Sequence, residues 1–120
     1  MSQNDKSENE LAGFVVNCSL KIHRQLGPGL FENVYEKVLW YHCIKEGIKV
    51  ERQKSVPVIY DGIDMGLTYI PDLIIGDKLI VEVKSVENLL PVHFKQMITY
   101  LKITHLKLGL LINFNKPLIK

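Results

Sequence analysis

Leu79-Ile80-Val81-Glu82-Val83 is the stretch that most restricts what this chain can fold into. Short, apolar and rich in β-branched residues, it has the makeup of a strand buried on both faces. Glu82 nevertheless stands inside it and Lys84 closes it. An unpaired carboxylate at such a position costs several kcal/mol, so Glu82 requires a proton, a cationic partner or a metal ion. A second acid, Asp72, leads into another apolar run, Leu73-Ile74-Ile75, and Gly76-Asp77 between the runs is a turn signal.

Strand parity decides whether the two acids can meet. A two-residue loop at Gly76-Asp77 sets Asp72 opposite Val81 and sends Glu82 to the other face. A three-residue loop over Gly76 to Lys78 pairs Ile75 with Leu79, Asp72 with Glu82 and Ile70 with Lys84. In that register Asp72, Glu82 and Lys84 share one face, with opposed Cβ atoms about 5 Å apart. Like charges at that separation repel unless a cation lies between them. The hairpin is therefore a candidate divalent-metal site with an ammonium beside it, and oxygen ligands favour Mg²⁺ or Mn²⁺ over Zn²⁺. The plainer alternative is an ion pair from Lys84 that only fixes register.

The 120 residues suffice for one core. We expect a disordered tail over 1–9 and a single domain over 10–120. A hydrophobic fraction of 47% is ordinary for a globular chain, and a net charge of +2 permits an anionic partner without demanding one. Cys18 and Cys43 lack CxxC spacing, and the polar start lacks the apolar core of a signal peptide, which together predict reduced thiols and a cytoplasmic location. No run approaches the ~20 apolar residues of a membrane span.

Leu11, Phe14, Val15, Cys18, Ile22 and Leu26 recur at helical spacing and predict a helix over about 8–26 that stops at Gly27-Pro28-Gly29. A second helix over about 30–46 has Phe31, Val34, Val38 and Leu39 as its apolar positions. Glu32 in its first turn complements the helix dipole whatever else it does. From Ile48 the period becomes alternating, which predicts strands near 48–50 and 56–60, with Pro57 favouring an edge. Pro91 opens a helix to about Thr104 with Phe94, Met97, Ile98 and Leu101 facing the core. His93, Gln96 and Tyr100 form a neighbouring stripe able to face the carboxylates. Leu108 to Phe114 is a last buried strand, parallel to 79–84 across the intervening helix. The result is an α/β fold with a mixed central sheet flanked by helices.

Several motifs in this order resemble a known family. Gly29-Leu-Phe-Glu32-Asn-Val-Tyr35 is similar to the Gly-x-x-Glu-x-x-Tyr signature of the GxxExxY family, a branch of the PD-(D/E)XK nuclease-like superfamily. Pro71-Asp72 followed by Glu82-Val83-Lys84 resembles the signature of the superfamily itself, and His93, Gln96, Tyr100 and Gly109 to Phe114 resemble the closing segments. The resemblance implies a restriction-endonuclease-like αβββαβ core and a Mg²⁺- or Mn²⁺-dependent nuclease acting on DNA or RNA. By the same resemblance Glu32, Asp72, Glu82 and the Val83 carbonyl would hold the metal, and Lys84 would assist catalysis with Asp72 and Glu82. Tyr35, His93, Gln96 and Tyr100 would shape the substrate side. A non-catalytic nucleic-acid-binding or protein-interaction module on the same scaffold is the alternative. The apolar edge around Val56 to Tyr60 also allows a homodimer or a protein partner.

Overall fold

A computed structural model describes residues 6–115. Helix α1 (Glu8–Leu26) begins at a Ser7 cap whose hydroxyl accepts the Glu10 N–H while the Glu10 carboxylate reaches back to Ser7. The helix thus takes in the last residues of the stretch read as tail, and residues 1–5 lie outside the described ones. Helix α2 (Glu32–Lys45) and strands β1 (Val50–Arg52), β2 (Val56–Tyr60), β3 (Ile63–Tyr69), β4 (Leu73–Ile75) and β5 (Leu79–Lys84) follow. Helix α3 (Pro91–Thr104) and strand β6 (Leu108–Asn113) complete the order.

The main sheet runs β1-β4-β5-β6, antiparallel except for the parallel β5–β6 pair. Helices α1 and α2 cover one face. Leu11, Val15 and Ile22 of α1 meet Tyr35, Leu39 and Cys43 of α2 over the buried strands β4 and β5. This differs from the expected stripe on α2. Phe31 is 83% exposed and Val34 37%, because the helix turns Tyr35, Glu36, Leu39 and Cys43 inward instead.

Two further expectations need correction. Ile63 to Tyr69 forms a strand that the sequence reading passed over, pairing with β2 in a separate two-stranded ribbon through an Asp61-Gly62 turn with both φ angles positive. The predicted core face of α3 shrinks to Met97, with Phe94 51% and Ile98 55% exposed. Met97 enters the space left by the missing side chain of Gly109, where a Cβ would overlap its sulfur. That close approach anchors α3 on β6 by one residue.

Candidate active site

The hairpin adopts the three-residue loop, with Ile75 opposite Leu79, Ile74 opposite Ile80 and Leu73 opposite Val81. One step further, Asp72 stands against Glu82, and their carboxyl groups come within hydrogen-bonding reach. The ladder ends there. Past Leu73 the main-chain pairing gives way to a side chain, and Asp72 Oδ2 accepts the Val83 N–H at 2.8 Å. The expected Ile70–Lys84 pair does not form in the ladder, since β4 starts only at Leu73 and Ile70 is 48% exposed.

Tyr69 takes the position the sequence reading gave to none of its residues. Its hydroxyl donates to Glu82 Oε1, and its ring stacks on Tyr100 of α3 with centroids 3.7 Å apart. Tyr100 is thereby brought against the acidic pair, as its place on the stripe of α3 predicted. Burial, with the neighbouring Glu82 and Asp72 adding to it, holds both phenols above their usual range. His93 caps its own helix, with Nδ1 accepting the Leu90 N–H at 3.0 Å, while Gln96 is exposed one turn along.

Glu82 is 8% exposed. Burial pushes its carboxyl up to about 7, with Asp72 adding to the rise and the Tyr69 hydrogen bond and the Lys84 charge opposing it. A pair of opposed acids in which one holds its proton to neutral pH is short of positive charge. The third acid arrives from α2: Glu32 Oε2 accepts the Ser85 N–H at 3.0 Å, just beyond the end of β5. Among the described residues no group of three His, Cys, Asp or Glu side chains closes on a point that could hold a metal ion. The opposed pair and the Val83 carbonyl remain, and they fit Mg²⁺ by donor type, since that ion is commonly bound through one or two carboxylates and keeps several waters.

Tyr35 corrects a sequence expectation. It is fully buried, stacked on Phe114 with centroids 4.2 Å apart, so it does not line a substrate surface. Its hydroxyl donates to the Gly27 carbonyl at 2.5 Å and accepts the Leu30 N–H at 3.1 Å. Those bonds fix the loop that delivers Glu32 to its helix start. Glu36 went unnoticed in the sequence, although a glutamate one turn after Glu32 on an inward-facing stripe was a readable signal. It is 4% exposed, and its Oε1 accepts Gln53 Nε2 at 2.7 Å with Arg52 Nε 3.4 Å away.

A sequence model described as the PD-(D/E)XK nuclease superfamily matches residues 9–120. The chain belongs to that superfamily. The mixed sheet between helices is accordingly a restriction-endonuclease-like fold. No curated protein and no solved structure matches the chain significantly. PD-(D/E)XK nucleases generally use divalent metal ions, and their substrates are nucleic acids. No helix among the described residues is long and apolar enough to cross a membrane.

Proposed function

We propose that this chain is a Mg²⁺- or Mn²⁺-dependent nuclease of the GxxExxY type, cutting phosphodiester bonds of DNA or RNA in the cytoplasm. The observation that carries the reading is the placement of Asp72 against the buried Glu82, with Asp72 also bonded to the Val83 N–H and Lys84 next along β5. Asp72, Glu82 and the Val83 carbonyl would hold the metal, with Glu32 approaching from the Ser85 side. The bound ion supplies neutralisation of phosphate charge and a lowered pKa for a bound water.

The remaining work falls to the protein. Lys84 places a compact ammonium beside the scissile phosphate, where it stabilises developing negative charge. Tyr69 holds Glu82 in one rotamer through its hydroxyl, and the stacked Tyr100 presents an aromatic wall on the same side. Gln96 and His93 extend that wall along α3. Beside the α2 acids, Asn33, Lys37 and Arg52 line an open cavity of about 480 Å³, which supports a phosphate backbone passing there. The free thiols Cys18 and Cys43 are in keeping with a reducing compartment.

The test is cleavage of single- and double-stranded DNA and RNA with Mg²⁺ or Mn²⁺ by wild type, Glu82→Ala and Lys84→Ala. Loss of cleavage in both variants is expected. Equal cleavage by all three proteins sinks the proposal, and salt-dependent binding without turnover by wild type transfers the site to the non-catalytic alternative.

A further inference from the structure

Gln53 joins the helix-borne Glu36 to the main chain of Asp72. Its main-chain N–H donates to the Asp72 carbonyl at 3.1 Å, continuing the β1–β4 ladder past Arg52. Its side chain turns the other way and gives Nε2 to Glu36 on α2 at 2.7 Å. To serve both, its backbone takes a φ of 57°, in the left-handed region that residues with a Cβ enter at a cost. Glycine would adopt that φ without this cost. The retained side chain and the strained backbone point to a fixed task.

We infer that Gln53 is a positioning residue that sets Asp72 relative to α2, with Glu36 as its anchor. The inference rests on reading Asp72 and Glu82 as the acidic pair of the site. Glu32 and Glu36 lie one turn apart on the same face of α2, and each holds a residue just past the end of a strand of the main sheet. Glu32 takes the Ser85 N–H at the end of β5, and Glu36 takes Gln53 next to Asp72. Helix α2 is therefore fastened at two points beside the pair, after β5 and after β1. Arg52 supplies the positive charge that lets Glu36 stay buried, at 3.4 Å from the same oxygen. With the main chain of Asp72 held by Gln53, its side chain is aimed at the Val83 N–H.

That last bond gives a readout that does not depend on metal or on cleavage. Glycine is at ease at this φ, so Gln53→Gly keeps the turn and removes only the amide arm. In the metal-free variant the Val83 amide should exchange with solvent about fivefold to tenfold faster, while the Ile112 amide on β6 keeps its wild-type rate. Mn²⁺ affinity by titration calorimetry should fall about tenfold, the range seen when groups that orient metal ligands are removed. The double variant Glu36→Gln with Gln53→Glu rebuilds the same bond with donor and acceptor exchanged, and it should recover both measurements.

Unchanged Val83 exchange in Gln53→Gly overturns the inference, as does an equal acceleration at Ile112, which would mark a general loss of stability. Failure of the exchanged pair to recover Val83 protection overturns it too. If wild type takes up no Mn²⁺, the metal-centre reading of the site falls, and the Val83 exchange still decides the role of Gln53.

Discussion

Replacing Glu82 by glutamine should make the metal-free protein more stable at pH 8, although it deletes a residue of the proposed site. Burial and the neighbouring Asp72 raise the Glu82 carboxyl from 4.5 to about 7 in the folded chain. The folded state therefore keeps a proton that the unfolded state has released, and stability falls as pH rises from about 4.5 through 7. At about 1.4 kcal/mol per pH unit, that interval makes ionisation of Glu82 cost about 3 kcal/mol above pH 7. Glutamine has the same shape, carries no charge, and keeps an oxygen for the Tyr69 hydroxyl and an N–H for Asp72.

Urea unfolding in EDTA at pH 5 and pH 8 measures the effect. The variant should exceed wild type by about 3 kcal/mol at pH 8 and by about 1 kcal/mol at pH 5. Taking the difference between the two proteins cancels titrating groups that do not interact with Glu82, including Glu36, whose burial also raises it. Added Mn²⁺ should then stabilise wild type and leave the variant unchanged, reversing their order. A difference that is the same at both pH values refutes the argument that Glu82 is buried against Asp72 without compensating charge.

Other outcomes follow from the same contacts. Tyr35→Phe keeps the ring stack on Phe114 but loses both loop hydrogen bonds, so denaturant unfolding should show a loss of about 1–2 kcal/mol. Tyr69→Phe removes the hydrogen bond that holds the Glu82 carboxyl down, so an NMR titration of the metal-free variant should place its midpoint above the wild-type value; an unchanged or lower midpoint contradicts the geometry. Cys43 is fully buried and its thiol is pushed up to about 12, so a thiol reagent at pH 8 should leave it unmodified until the chain unfolds, as labelling and mass spectrometry would report.

The central hairpin was legible because period-two alternation and loop length fix which residues share a face, and a single choice of register placed Asp72 beside Glu82. The helices were legible from their periodicity, and α1 and α3 match the expected spans closely. Strand β3 was within reach: Ile63, Met65, Leu67 and Tyr69 alternate, and Asp61-Gly62 is a hairpin turn. What misled the reading was the absence of burial, since the ribbon exposes most of that face and alternation there reports no core. On α2, Phe31 and Val34 outranked Tyr35 and Glu36 in hydrophobicity, yet the helix rotates toward the side chains that find hydrogen-bond partners inside.

The amino-acid order alone determined the strand with its inward acid, the turn that sets the register and the types of residue the chemistry calls on. Those are consequences of local geometry, where neighbours in sequence are neighbours in space. Only the folded chain decided that Tyr69 would secure Glu82, that Tyr35 would serve the core and that Gln53 would join Asp72 to Glu36. Each of these contacts joins segments that meet only after the sheet and helices have packed, and direction and burial exist for a side chain only once its surroundings do.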